Sequence, residues 1–314
     1  MNRKKIELLF LIMAITGSII SGVVLLLYNS ASFKTEEFHF YPSEVTDWQI
    51  ADESFQLHGE VYYPRHFMSS EAYPTVILFH GLSRTLQDHS YLIDRLVRLG
   101  LLCYAIDFRG HGSSDGEYPG TSETRNTTFG DSFGIYRYIQ EFPYVDKNKL
   151  ISFGISMGGA NALLLAVENL VPYYVLSFPA VGYYWNADPL YNYTITGERS
   201  DGLVMAGTAD SCGACIPEYV NTFSNNNPGS EIHWFEGATH TDSDFWLESM
   251  QLTELWIKNK LNLAATTFLN NKYIIIGLSS VSFIMAGFLT FICWKRMRNP
   301  IKNITHTDIT ENND

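Results

Sequence analysis

Between about residues 38 and 263, short apolar runs rich in β-branched and aromatic residues alternate with amphipathic stretches. The alternation predicts strands over Phe38–Phe40, Asp47–Ala51, Phe55–Tyr63, Val76–His80, Leu102–Asp107, Leu150–Gly154, Tyr174–Phe178, Leu203–Gly207 and Glu231–Phe235. Helices are predicted over Leu86–Leu99, Thr127–Phe142, Met157–Leu170, Ile216–Asn225 and Ser243–Leu261. The run Val76-Ile77-Leu78-Phe79 is apolar at every position, the pattern of a strand covered on both faces. An antiparallel start followed by strand–helix alternation predicts one α/β domain with a mostly parallel central sheet and helices on both faces. No internal repeat is visible.

Two longer apolar runs flank this region. Ile6 to Tyr28 is broken only by Glu7 and a few small residues, and Arg3, Lys4 and Lys5 precede it. Tyr273 to Trp294 carries no charge and is followed by Lys295, Arg296, Arg298 and Lys302. Each is long enough to cross a bilayer as a helix, which takes roughly 20 residues. Basic residues remain on the cytoplasmic side, so both termini are expected inside and the domain between them outside. The first run could instead be a cleavable signal peptide, although it exceeds the usual apolar core of about 7–15 residues. The expected organisation is therefore an anchor (or signal peptide) over 1–30, the α/β domain over 31–263, a linker over 264–272, a transmembrane helix over 273–294 and a cytoplasmic tail over 295–314. The second run as a buried core helix is the alternative there.

Composition changes this picture in one respect. The chain has 314 residues, a net charge of −12 and only 17% charged residues against 46% hydrophobic ones. Its two ends are mildly basic, and residues 31–271 hold 13 Lys/Arg against 29 Asp/Glu. A surface that acidic repels phosphate backbones, which excludes nucleic acid as an expected partner.

The chemistry begins at Gly154-Ile155-Ser156-Met157-Gly158-Gly159, between the predicted strand Leu150-Ile151-Ser152-Phe153 and the helix-forming run Ala160 to Leu165. A serine presented on a strained turn between strand and helix needs glycines at the flanking positions so that the backbone can close up. The helix N-terminus then faces any negative charge developing at that serine. Ser156 is the candidate nucleophile.

Further motifs occur in order: Phe79-His80-Gly81-Leu82, Tyr104 to Gly116 (YAIDFRGHGSSDG), Gly207-Thr208-Ala209-Asp210 and Gly237-Ala238-Thr239-His240. Together with the serine turn they span roughly residues 76–260, and on them the chain resembles α/β-hydrolases of the monoacylglycerol lipase and serine aminopeptidase type. The resemblance implies a triad of Ser156, Asp210 and His240, with an oxyanion hole formed by the backbone N–H groups of Leu82 and Met157. The order Ser, Asp, His suits the fold, and Asp210 and His240 each follow a predicted strand. Asp242, two residues past His240, is a rival acid, whereas Asp201 precedes its strand and falls at the wrong edge. His80 and His111 belong to turns and read as structural, as do Asp107 and Arg109, while His233 lies within a strand pattern. The expected activity is hydrolysis of small or lipid-derived esters through an acyl-enzyme, with amide cleavage as the second enzymatic reading and a non-catalytic membrane receptor as the third. No cofactor is expected, and no protein partner is identified.

Cys212 and Cys215 form an insertion after Asp210 that departs from the family pattern. On an exported domain they could close a small disulfide loop. No second ligand pair accompanies them, so the spacing gives no metal site. Asn126-Thr127-Thr128 and Asn192-Tyr193-Thr194 are possible glycosylation sequons on the outer domain, and Asn303-Ile304-Thr305 would lie inside. Only about 25 residues separate the predicted strand Tyr174–Phe178 from the strand Leu203–Gly207 that leads to Asp210, so any cap is small; its Tyr183, Tyr184, Trp185, Tyr191 and Tyr193 could wall an apolar substrate group.

Overall fold

The computed structural model describes residues 33–42, 56–118, 124–182, 184–185, 188–195 and 201–263, with seven single positions in the flanking runs. By its contacts the chain divides into Phe33–Ala265 and a unit comprising Met1–Ser32 and Thr266–Asp314. The predicted strand Asp47–Ala51, the linker 264–272 and the two predicted membrane spans lie outside the described residues, apart from those single positions. Among the described residues no helix is long and apolar enough to cross a membrane.

The strands are β1 Thr35–Phe40, β2 Leu57–Tyr62, β3 Tyr73–Phe79, β4 Leu102–Ile106, β5 Val145–Ile155, β6 Tyr173–Ser177, β7 Tyr184–Trp185, β8 Asp188–Pro189, β9 Asp201–Gly207 and β10 Ser230–Phe235. The helices are α1 Ser90–Arg98, α2 Thr124–Ile139, α3 Met157–Val167, α4 Pro217–Asn226 and α5 Ser243–Lys260. Eight strands form one sheet in the order β1-β2-β4-β3-β5-β6-β9-β10. The pairs β1–β2 and β2–β4 are antiparallel and every later pair is parallel. Strands β7 and β8 make a separate antiparallel pair.

The continuously apolar strands are buried twice over. In β3, Ile77 and Phe79 face a core shared with α2, α3 and α4, while Val76 and Leu78 face a second core shared with α1 and α5. In β4, Leu102, Tyr104 and Ile106 join the first core and Cys103 and Ala105 the second. The strand period of two thus divides one apolar run between two helix layers. Helix α3 is buried from Met157 to Ala166, which explains why its sequence shows no polar face apart from Asn161. That amide donates to Met157 O at 2.9 Å and its oxygen accepts from Ser132 Oγ at 2.7 Å.

Two elements differ most from their predicted form. Strand β5 starts at Val145, five residues early, with Lys147, Asn148 and Lys149 exposed and an irregular register where it meets β3. These polar residues sit where the strand projects beyond its covering layers, so burial does not mark them. The predicted helix Leu86–Leu99 opens instead as a 3-10 turn, Leu86–His89, before α1. The carboxylate of Asp107 takes the Leu86 N–H at 2.8 Å and anchors that turn to the end of β4.

Candidate active site

Ser156 directly follows β5 with φ 53 and ψ −116, a conformation that costs a residue bearing a Cβ on the order of 1–3 kcal/mol. Its N–H is held by Ser177 O at 3.0 Å. A Cβ on Gly154 would collide with Gly158 O, and one on Gly158 with Phe79 O and His80 O. The glycines are required because strand, turn and helix close on one another here.

The other two residues arrive through the neighbouring pair β9 and β10. After β9, Thr208 N–H donates to Phe235 O (3.0 Å) and Ala209 N–H to Ala238 O (3.0 Å). Gly237 N–H donates to Thr208 Oγ1 at 2.8 Å. The two loops are therefore stitched together, and they deliver Asp210 and His240 to the same strand ends as Ser156. His240 Nδ1 lies 2.8 Å from Asp210 Oδ2, and Nε2 lies 2.8 Å from Ser156 Oγ. Asp210 is buried, and its Oδ1 accepts the Cys212 N–H at 2.9 Å. Burial acts to lower the His240 pKa, but the Asp210 hydrogen bond and charge outweigh it and raise the value above 6.5. The rival Asp242, the residue just before α5, instead accepts the Thr239 N–H at 2.9 Å. Asp201 pairs with Lys260 at 2.8 Å.

Met157 opens α3, and Leu82 follows Gly81, where a side chain would touch Ser156 Cβ at 3.5 Å. Among the described residues neither N–H of this pair meets a backbone acceptor. Both bordering histidines hold the Leu82 turn. His80 Nδ1 donates to Gly81 O at 2.7 Å while its Nε2 accepts the Phe108 N–H at 3.1 Å. His111 Nδ1 donates to Arg109 O at 3.0 Å while its Nε2 accepts the Ser83 N–H at 3.2 Å. Burial pushes the His80 pKa down to about 4, consistent with a neutral ring that both donates and accepts. Asp107 Oδ2 lies 3.0 Å from both the Ser113 N and His58 Nδ1. Arg109 pairs at 2.6 Å with the fully buried Asp131, a partner that no motif marked. His233 is half-buried and packs edge-on against Phe235.

The expected disulfide is not formed. Cys212 and Cys215 are free thiols whose sulfurs stand 3.5 Å apart, well beyond the bond length of about 2.05 Å. The Cys215 N–H donates to Cys212 O at 2.6 Å, so a tight turn brings the thiols together without a bond. Contact with Cys215 pulls the Cys212 thiol down to about 6 against the effect of burial, and the Cys215 thiol goes up. Cys215 Sγ also lies 3.9 Å from His240 Nε2, a proximity that sequence spacing did not reveal.

The sequon Asn126 falls within α2 and not in a loop, whereas Asn192 is exposed. Of the cap aromatics, Tyr183 lies outside the described residues, as do the side chains of Tyr184, Trp185 and Tyr191; Tyr193 is half-buried against the first core. A polar cavity of about 350 Å³ lies elsewhere, lined by residues that include Glu37, His39, His58, Glu60 and Asp107. Its lining contains no member of the Ser156–His240–Asp210 chain.

A mostly parallel sheet covered by helices on both faces, with a serine on a strained strand–helix turn and a His–Asp pair from two later loops, has the α/β-hydrolase fold, and solved structures share it. Residues 70–196 match the family described as Serine aminopeptidase, S33. The curated protein Bem46 of Schizosaccharomyces pombe is 31% identical over 103 residues, a stretch covering 32% of each chain, so the match spans about a third of that relative. An esterase from Pyrococcus furiosus superposes with a TM-score of 0.56 at 19% identity, covering 74% of this chain and 94% of that one. The esterase of Pyrobaculum calidifontis gives 0.56 at 16% identity over 83% and 94%. Thermogutta terrifontis esterase 2, phosphorylated by paraoxon, gives 0.56 at 17% over 74% and 96%. At these identities the structural likeness is one of fold.

Proposed function

We propose that this chain is a membrane-anchored serine hydrolase that cleaves carboxylic esters. The observation that carries the reading is the unbroken series Ser156 Oγ, His240 Nε2, His240 Nδ1, Asp210 Oδ2, with 2.8 Å at each polar contact. With Asp210 accepting from Nδ1–H, Nε2 keeps its lone pair toward the serine. Ser156 Oγ attacks the ester carbonyl and its proton passes to Nε2, while Asp210 stabilises the imidazolium. The tetrahedral oxyanion takes the free N–H groups of Leu82 and Met157, one such donor being worth about 3 kcal/mol. Collapse breaks the C–O bond, Nε2 returns the proton to the departing alcohol, and water attacks the acyl-enzyme by the same route.

The esterases that share the fold support an ester substrate, and the serine aminopeptidase family match supports amide cleavage as the second reading. Amide cleavage by an aminopeptidase needs an anionic pocket for the substrate ammonium. The two flanking apolar runs with their basic borders carry the membrane anchoring and the outward placement of residues 31–263.

A fluorophosphonate probe tests the reading, since organophosphate capture is recorded for a fold relative. Wild-type protein is expected to label and Ser156→Ala to remain unlabelled. Panels of acyl esters and aminoacyl amides then select the substrate class, and turnover of amides alone would reject the ester assignment. Alkaline carbonate extraction tests the anchor, and release of the full chain to the supernatant would remove that part of the proposal.

A further inference from the structure

The Cys212–Cys215 turn stands against the base of the site, and its two thiols have no role in the hydrolytic steps. Three soft or borderline donors converge there: Cys212 Sγ, Cys215 Sγ and a ring nitrogen of His240 all lie within 4.8 Å of one another. The sulfurs are 3.5 Å apart, and Cys215 Sγ is 3.9 Å from Nε2. A tetrahedral zinc ion with bonds of about 2.3 Å to sulfur and about 2.0 Å to nitrogen sets its ligand atoms roughly 3.5–3.8 Å apart. The donors therefore stand within a few tenths of an ångström to about one ångström of the required spacing. Cys212 lies on an exposed turn that could close this gap: a side chain on the neighbouring Gly213 would meet nothing within 4 Å.

A second observation points the same way. Ligating histidines almost always direct their other ring nitrogen at a carboxylate or carbonyl, which fixes the ring and raises its basicity. His240 already does this, with Nδ1 2.8 Å from the buried Asp210 Oδ2. The arrangement that aims Nε2 at Ser156 would aim it equally well at a cation.

We propose that Cys212, Cys215 and His240 form a binding site for zinc or a similarly thiophilic divalent cation, and that its occupation switches the hydrolase off. The metal takes the Nε2 lone pair, so Ser156 loses its base, and the two thiols release their protons to solvent as they ligate. The fourth position is left to water or to Ser156 Oγ. Hydrolysis and metal binding are then mutually exclusive uses of one nitrogen. The inhibitory half of this proposal rests on the assignment of His240 as base, and the binding half does not.

The test uses the full-length chain, reduced with a phosphine and stripped of metal by a chelator. Cobalt(II) is added and the thiolate-to-cobalt charge-transfer absorption is followed. The band is expected to saturate at one ion per chain, to disappear on adding zinc, and to be lost in C212S and in C212S/C215S. C212S replaces only the half-exposed thiol and serves if the double variant folds poorly. In parallel, ester hydrolysis by wild type should fall with the same zinc midpoint, by at least about a hundredfold at saturation, the usual contribution of a general base. Chelator should restore it. C212S, referred to its own metal-free rate, should need far more zinc for the same loss. A wild-type chain with no cobalt band, or a band unchanged in both cysteine variants, overturns the site. A zinc midpoint identical in wild type and C212S overturns the inhibitory link. If the chain hydrolyses no ester at all, the functional proposal fails while the cobalt band still decides the metal site.

Discussion

Asp210→Asn separates the proposed triad acid from its neighbour Asp242, and the structure fixes how the amide must sit. Asp210 Oδ1 accepts the Cys212 N–H at 2.9 Å, and a backbone N–H can only donate. The asparagine must therefore turn its carbonyl oxygen toward Cys212 and its NH₂ toward His240. Nδ1, which now faces Asp210 Oδ2 at 2.8 Å, is forced to become an acceptor. The ring proton moves to Nε2, which then donates to Ser156 Oγ and cannot take its proton. An acid-to-amide change that imposes the wrong tautomer in this way costs about 10⁴ in kcat, or roughly 5 kcal/mol of transition-state stabilisation. Asp242→Asn, by contrast, keeps an oxygen for the Thr239 N–H and should stay within about threefold of wild type, as expected of a surface substitution worth at most ~0.5 kcal/mol. Steady-state hydrolysis of an activated ester by both variants, with thermal melts to confirm folding, is the assay. Asp210→Asn retaining a tenth of wild-type kcat, or Asp242→Asn losing as much as Asp210→Asn, would refute the assignment.

The remaining predictions concern the scaffold around the site. Gly158→Ala places a methyl group against Phe79 O and His80 O and should cost about 1–3 kcal/mol of overpacking, together with most of the activity. Gly213→Ala meets nothing within 4 Å and should cost less than ~0.5 kcal/mol; equal urea midpoints for the two would contradict the steric account. Asp131→Asn removes the buried carboxylate charge that sits 2.6 Å from the Arg109 guanidinium and should lower stability by about 3–5 kcal/mol; a change in unfolding free energy below about 1 kcal/mol would show that the pair is dispensable. Lowering the pH should destabilise the domain through His80, whose pKa is about 4 in the folded chain against an ordinary 6.5 when unfolded. Between those values the unfolded chain binds the proton and the folded one does not, so stability falls as pH drops, by up to about 1.4 kcal/mol per pH unit for one such group. A His80 ring resonance titrating at or above 6.5 would contradict this.

What could be read from the sequence follows from the distance over which each signal is written. The apolar run Val76 to Phe79 and the glycines around Ser156 are local patterns, each imposed by a strand buried on both faces or a turn that closes on itself. The order Ser156, Asp210, His240 was legible because parallel strands place successive loops at one edge, and the contacts now show which carboxylate faces the ring. The approach of Cys215 to His240 spans 25 residues and depends on the backbone bonds that join the two loops, so no spacing rule records it. Asp131 was missed for a similar reason: it is one acid within a predicted helix, and only the packing of α2 on the sheet brings it to Arg109.

The strand ends that carry the proposed chemistry also carry backbone strain, and the two have a common cause. Among the described non-glycine residues, Ser83, Ser156 and Phe178 have φ values of 60, 53 and 45. They follow β3, β5 and β6, which are neighbours in the sheet. Asn169 and Asn262 share the left-handed conformation just past the ends of α3 and α5, where asparagine accepts it at little cost. No such tolerance exists for a phenylalanine. Phe178 is held by its N–H on Met205 O at 2.7 Å and by stacking on Phe235, and its ring stands edge-on to His240. A turn that relaxed to an ordinary conformation would withdraw the side chain it presents. The buried strands on either side bear the cost, on the order of 1–3 kcal/mol per residue, and keep hydroxyl, imidazole and free N–H groups fixed before any substrate arrives. Pre-positioned polar groups of this kind need not reorganise during the reaction, which is the condition for electrostatic stabilisation to act on the transition state.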